Sequence, residues 1–357
     1  MKYSRFLPLL LLIACSSNKS DWPLLPFVKL DNVNPVLEAG NNTFICPVLN
    51  QEVKWDEKDV FNPAVVVKDD KVYMIFRAED KIGKYAGTSR LGLAISDDGL
   101  YFTKQGTPVF YPDNDSLKIY EWEGGVEDPR IVESPDGTYV MTYTGYDGSI
   151  ARLLIATSKD LQHWTKQGLV LTGKYKDTWS KSGAIVAKRN GTKIIAEKID
   201  DKYWMYFGDT DLFMATSDDL IHWNPVVEAN DSLKSVLKPR SNMFDSELVE
   251  SGPYALITDN GILLLYNGMD HDTRTYSSGQ ALFDLNDPTK LISRLDDHFL
   301  TPDKPYELVG QVNKVCFIEG MVPFKTHWWL YYGTADSKIA VAMGPDLPAG
   351  AAEEGLR

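Results

Sequence analysis

The chain has 357 residues, 43% of them hydrophobic and 24% charged, which suits two average domains or one large all-β domain. Lys and Arg number 37 against 50 Asp and Glu, and the net charge of −13 makes nucleic acid and anionic surfaces poor partners. Aromatics reach 11%, with nine Trp and eighteen Tyr, enough for a core and for flat faces on which sugar rings stack.

The first element is a leader. Lys2 and Arg5 precede an apolar run from Phe6 to Ala14, too short to span a bilayer as a permanent helix. "LIAC", ending at Cys15, resembles the bacterial lipobox, in which the Cys is lipidated. Residues 1–15 are therefore expected to be a lipoprotein signal peptide and 16–30 a polar tether. That implies an exported protein held by acyl chains alone on the periplasmic or surface face of a bacterial membrane. Cys46 and Cys316 lie far apart and are expected as separate core thiols. No CxxC or HExxH spacing calls for a metal, and no cofactor is expected.

Five units follow, each a strand ending in an aromatic-X-Gly/Ala corner, a turn, a second strand and a polar turn. They read "KVYMIFRAED…LGLAISDDGLYF", "TYVMTYTGYDG…LLIATSKDLQHW", "KYWMYFGDTD…LFMATSDDLIHW", "ILLLYNGMDHD…GQALFDLNDP" and "WWLYYGTADS…IAVAMG". The corner residues Arg77, Thr144, Phe207, Asn267 and Tyr332 recur every 60 to 67 residues or so, longer than a WD40 blade but of that kind. A further strand precedes each unit: "PAVVV", "PRIVE", "SGAIVA", "YALIT" and "KVCFIEG". Four strands per unit and five units predict a five-bladed β-propeller over 31–345, with 346–357 a tail. A β-sandwich is the alternative, but it does not account for five copies of one corner. The turns from Ser96, Ser158 and Ser217 are expected to be side-chain-capped, with His163 and His222 at the surface.

A propeller directs the start of each unit toward one central pocket. The charged groups at those openings include Asn62, Arg77, Glu79 and Asp80, then Glu127 and Asp128 in "GGVEDPR", then Lys181, Glu197 and Lys198. The fourth unit offers Asp245, Glu247 and Glu250, and the fifth Glu319 and Asp336. Arg77 lies within an apolar pattern and so needs a buried carboxylate or ligand. Carboxylates converging with Arg and Lys suit a polyhydroxylated ligand, and paired carboxyls are the apparatus of glycoside cleavage. Gly124 and Gly125 are expected to let the backbone approach that ligand, and Pro129 to fix the strand start.

"FNPA", "FRAED", "GVEDPR", "AEKIDDKYWMY", "SDDLIHW", "YSSGQALFDLNDP" and "YYGTADSKIA" together resemble glycoside hydrolase family 130, the β-mannoside phosphorylases and β-1,2-mannosidases on a five-bladed propeller. The resemblance runs from Phe61 to about Ala342. It implies Asp128 as proton donor, acting through a hydroxyl of the bound mannose. It also implies Asn62, Arg77 and Asp336 as holders of the −1 sugar, with Lys198 as a recognition residue. Lys181 and Tyr276 match phosphate-side positions of phosphorylases, and they and Asn267 are expected to contact the substrate. Asn267 in "YNG", "YFGD" at Tyr206–Asp209, "FIEG" with Glu319, and Glu250 depart from the phosphorylase pattern. Basic groups are lost and acids gained, which disfavours anionic phosphate and favours water activated by a carboxylate. The reading is an inverting β-1,2-mannosidase with water as co-substrate. Glu250 or Glu319 is the base, with Glu247 a third candidate, roughly 6.5–9.5 Å from the acid. A mannoside phosphorylase and a non-catalytic glycan-binding lipoprotein are the alternatives.

Overall fold

Alternating burial along the strands dictates the architecture. In the first long strand, Val65 and Val67 join a core cluster with Val322, Phe324 and Val341, whereas Ala64 and Val66 join one with Ile131 and Met141. Successive side chains point to opposite faces, so a strand buried on both faces reads as an unbroken apolar run. That is why "PAVVV" does not alternate.

The computed structural model describes residues 22–347 apart from Pro23 and Ala86. The leader, Cys15, the start of the tether and the tail beyond Leu347 lie outside the described residues. The protein is mostly β. Helix among the described residues is confined to the short turns Lys118–Glu121, Gly173–Tyr175 and Pro305–Leu308. None is long and apolar enough to cross a membrane.

Five antiparallel sheets succeed one another among the described residues, and parallel contacts of Ser89 with Gly125, Ile195 with Glu133 and Val186 with Ala255 join the first four. The first joins Asp59–Lys68, Lys71–Glu79, Ser89–Ser96 and Thr103–Lys104. The second joins Gly125–Glu133, Tyr139–Tyr146, Ala151–Ser158 and Trp164–Leu169. In the third, Ala184–Asn190 folds onto Lys193–Ala196 and also pairs with Tyr203–Phe207, which leads to Phe213–Ser217 and Trp223–Pro225. The fourth divides its opening strand into Leu248–Ser251 and Ala255–Thr258, both against Gly261–Met269, and continues to Tyr276–Phe283 and Leu291–Arg294. The fifth holds Cys316–Phe324, His327–Thr334 and Lys338–Asp346, and Val28–Lys29 adds its outer strand.

The repeat read in the sequence is this meander. Arg77 pairs with Phe61, Thr144 with Glu127, Asn267 with Glu250 and Tyr332 with Ile318, so these four corners face opening strands. Two features differ from expectation. The stretch 16–30 is not a free tether throughout, because Leu24 and Phe27 are buried and Val28–Lys29 is a strand. A separate hairpin, Thr43–Cys46 with Gln51–Lys54, precedes the first sheet. Cys46 and Cys316 are free and buried.

Candidate active site

The opening strands lose regular pairing where the site residues stand. In the first sheet the register shifts between Phe61 and Pro63, leaving Asn62 unpaired with φ 47°. In the second it shifts between Glu127 and Arg130, across Asp128 with φ 49°. In the fifth it shifts between Ile318 and Gly320, at Glu319. Such bulges re-aim a side chain that the pleat would bury in a sheet face. Asn and Asp tolerate the left-handed conformation best among residues with a Cβ, and the following Pro has no N–H to pair. The third sheet is preceded by Ser182 at φ 59°, and the fourth breaks after Ser251.

Asp128 is the hub. Its Oδ1 accepts from Asn62 Nδ2 at 2.9 Å and Arg77 Nη1 at 3.0 Å, and its Oδ2 lies 3.3 Å from Lys181 Nζ. Arg77 also donates to Glu79 and Glu127, at 2.8 and 3.0 Å, and lies 4.6 Å over the Phe61 ring. Lys181 reaches Glu250 Oε1 at 3.3 Å, and the Ser182 hydroxyl donates to the same oxygen. Two 3.3 Å contacts to one ammonium place the Asp128 and Glu250 oxygens at most about 6.6 Å apart, no farther than the lower edge of the range for an inverting pair. Arg130 ties the far side: it donates to the carbonyls of Asp128, Ser251 and Gly252 and to Glu319 Oε1 at 3.4 Å. Among the described residues, Glu319 Oε2 and Asn62 Oδ1 are buried without a hydrogen-bond partner.

Electrostatics divide the acids. Burial alone would raise the Asp128 pKa, but Lys181, Arg77 and Arg130 with the Asn62 hydrogen bond hold it well below the usual carboxylate range. Burial pushes Glu127 up to about 7 against the pull of Arg77. Asp336, at φ 49°, is likewise pushed by burial to about 7, with Arg77 opposing and Asp128 adding to the rise. Glu250 and Glu319 are raised by burial against Lys181 and Arg130 respectively. Burial raises Tyr276 too, with Glu250, Lys181 and Asp336 near its hydroxyl. Burial disfavours the charge on Arg77 and Lys181, yet the surrounding carboxylates raise both pKa values.

The structure thus gathers Asn62, Arg77, Asp128, Lys181, Glu250, Tyr276, Glu319 and Asp336. It does not gather three others. Lys198 is exposed over the Tyr203 ring, at the end of its sheet away from Lys181, whose carbonyl accepts from Gly208 beyond Phe207. Asn267 is buried, with its amide bonded in both directions to the Ile318 backbone, so it clamps the fourth sheet to the fifth. Glu247 is a rim carboxylate bound by His271 and by Arg274 at 2.8 Å. The glycines also act differently from expectation. A Cβ on Gly125 would meet the Ser89 backbone at 2.3 Å and one on Gly124 the Tyr146 ring at 2.3 Å, so both permit packing between strands. Ser182 is the main addition, and Glu127, already among the charged groups at the openings, joins the site through Arg77. Ser182 had a weak signal, a small polar residue beside Lys181 in "WSKSGAI". Asp80 and Asp245 serve structure, paired with Arg90 and with Arg240 and Arg294. Among the described residues no group of His, Cys, Asp or Glu is arranged to hold a metal.

Buried carboxyls of split acidity, cations between them and a half-exposed aromatic edge suit a sugar and its proton traffic. Comparison with known proteins agrees. The model of one protein family, Glyco_hydro_130, described as beta-1,4-mannooligosaccharide phosphorylase, matches residues 34–347. The 1,2-beta-oligomannan phosphorylase of Thermoanaerobacter sp. (strain X514) is 35% identical over 308 residues, 83% of this chain and 94% of its own. The beta-1,2-mannobiose phosphorylase of the same organism is 31% identical over 316 residues, covering 85% and 95%. A solved structure reported under "The GH130 family of mannoside phosphorylases contains glycoside hydrolases that target beta-1,2 mannosidic linkages in Candida mannan" superposes with a TM-score of 0.88 at 46% identity, covering 90% of this chain and 94% of that one.

Proposed function

The chain belongs to glycoside hydrolase family 130, and on that premise we propose that it hydrolyses β-mannosidic bonds, β-1,2 in particular, with inversion. The five meanders are read as the blades of a five-bladed propeller whose opening strands surround the site. Support for β-mannosides comes from the named activities of the relatives.

One observation carries hydrolysis: every cation at the centre is already matched by carboxylates. Lys181 lies between Asp128 and Glu250, Arg77 among Glu79, Glu127 and Asp128, and Arg130 against Glu319. Bound phosphate would compete with those acids, whereas water carries no charge. Glu250 is the base in this reading. Ser182 and Lys181 orient its Oε1, and its raised pKa makes it a stronger base than an ordinary glutamate. Glu319, closed from solvent and paired with Arg130, holds the arginine that grips the Asp128 carbonyl. Water attacks the anomeric carbon, its proton passes to Glu250, and the leaving oxygen receives a proton routed through Asp128. Arg77, Asn62 and Asp336 hold the sugar.

Phosphorolysis is the second reading, favoured by the relatives' names and by Lys181 and Tyr276 beside Glu250. Incubation with β-1,2-mannobiose, with and without phosphate, followed by NMR, tests both. Free α-mannose without phosphate is expected. Turnover only with phosphate, giving mannose 1-phosphate, overturns hydrolysis, and no turnover of any mannoside overturns both. We also propose lipid anchoring at Cys15, on the strength of the leader alone, with loss of acyl labelling in Cys15→Ala as its check.

A further inference from the structure

Three aromatic rings lie in succession beside the site: Tyr85 on the loop before Ser89–Ser96, Tyr146 at the end of its strand and Trp179 on the loop before Ala184–Asn190. Tyr85 and Tyr146 have centroids 6.0 Å apart and planes tilted by 63°, and Tyr146 and Trp179 are 6.4 Å apart with a tilt of 66°. Trp179 is 49% exposed and Tyr85 37%. Large rings left in solvent beside a polar centre mark a surface with an occupant.

The arc is continuous with the site. Tyr146 ends the strand that pairs with Gly125–Glu133, and Glu127 is close enough for its charge to bear on the Tyr146 hydroxyl. Trp179 stands two residues before Lys181, and its Nε1 donates to Asp209 Oδ2 at 2.7 Å. The rings are held in advance. Gly124 and Gly148 leave no room beside Tyr146 and Tyr85, where an added Cβ would lie 2.3 and 2.2 Å from ring atoms. Ser180 N–H donates to the Ala151 carbonyl, and Arg152 grips Lys176 O and Asp177, so the Trp179 loop is pinned to the second sheet. Stacking on pinned rings loses little conformational entropy.

We propose that Tyr146 and Trp179 form a curved site for successive sugars of the leaving group, shaped for a 1,2-linked chain. The proposal rests on the β-mannoside reading above. Asp128, Glu250 and Glu319 are 2%, 3% and 1% exposed, so a further sugar lies outside that buried centre. The tilts choose the linkage. A 1,4 linkage joins opposite ring carbons and runs straight, which suits a flat platform. A 1,2 linkage joins neighbouring carbons, so each step turns the chain, as each ring here turns from the last. The first leaving sugar stacks on Tyr146 and the second on Trp179, with Tyr85 backing Tyr146.

The test measures kcat/KM for β-1,2-linked di-, tri- and tetrasaccharides with wild type, Trp179→Ala and Trp179→Phe, and binding of the same sugars to Asp128→Asn with and without Trp179→Ala. In Trp179→Ala the trisaccharide-to-disaccharide ratio of kcat/KM falls about tenfold, through KM. Trp179→Phe, which keeps the ring and loses the Asp209 bond, retains the ratio. Asp128→Asn binds the trisaccharide more tightly than the disaccharide, and Trp179→Ala removes the difference. An unchanged ratio, or equal loss on both lengths, overturns the proposal, as does equal gain from a β-1,4-linked third sugar. If wild type turns over no mannoside while Trp179-dependent preference in binding persists, the hydrolase reading fails and the arc stands.

Discussion

Asp128 carries opposed demands. Three cations favour its carboxylate, yet the proposed chemistry routes a proton through it. A donor held at low pKa is strong when loaded and seldom loaded, so it passes a proton on and does not store one. Two neighbours pushed by burial to about 7, Glu127 and Asp336, are the groups able to hold that proton near neutral pH. Asp128→Asn is therefore expected to lower kcat by about 10²–10⁴-fold. Glu127→Gln is expected to shift the fall of kcat/KM above pH 7, with Asp336 keeping part of it, while leaving measurable turnover. A Glu127→Gln profile with an unmoved alkaline limb places the store elsewhere. Asn62 and Asp128 were legible because "NP" and "DP" inside apolar runs announce a break in the ladder. Lys198 misled because a charge at a strand end does not reveal which end faces the site. Asn267 misled because a buried amide can be fully occupied by a neighbouring backbone, a demand invisible along one chain segment.

At the level of elements, one turn recurs three times. Ser96, Ser158 and Ser217 accept from the backbone two and three residues on, and Asp98, Asp160 and Asp219 cap the next two amides. The fourth position of each turn is left-handed, with φ 81° at Gly99, 70° at Leu161 and 68° at Leu220. Leucine tolerates it because the side chain is buried, 0% exposed at Leu161 and 2% at Leu220. Leu220→Ala is expected to cost about 2–5 kcal/mol, since the burial is lost and the strain kept. Leu220→Gly should be the more stable of the two by about 1 kcal/mol, because glycine has no Cβ to strain. Urea unfolding gives the order, and a more stable Ala variant would contradict it. The turn was legible as a motif, but its left-handed corner was not, because leucine there gives no hint of positive φ.

Over the whole molecule, the site sets the pH of greatest stability. Glu127, Glu250, Glu319 and Asp336 are raised by burial, as is Glu121, to about 7, near Lys166. A carboxyl whose folded pKa exceeds its unfolded value contributes stability that is complete below about 4.3 and lost as pH rises through about 7. Asp98, Asp160 and Asp219 are lowered by their turn hydrogen bonds despite some burial and act in the opposite sense, losing their contribution below about 4. The melting temperature should therefore peak between these limits and be lower at pH 8 than at pH 6. A melting temperature that climbs from pH 6 to 8 would refute this. The repeating β meander was legible because each unit carries its own corner. The outer strand of the fifth sheet was not, because it comes from the other end of the chain. There Val28 pairs with Met343, and Lys29 is gripped by Glu307 at 2.7 Å. During synthesis the first four sheets each emerge as one continuous stretch and can pair at once. The fifth must wait until more than three hundred residues have been made before Val28–Lys29, the first described strand, can meet Ala342 and Met343, so this sheet alone of the five ties an early segment to a late one.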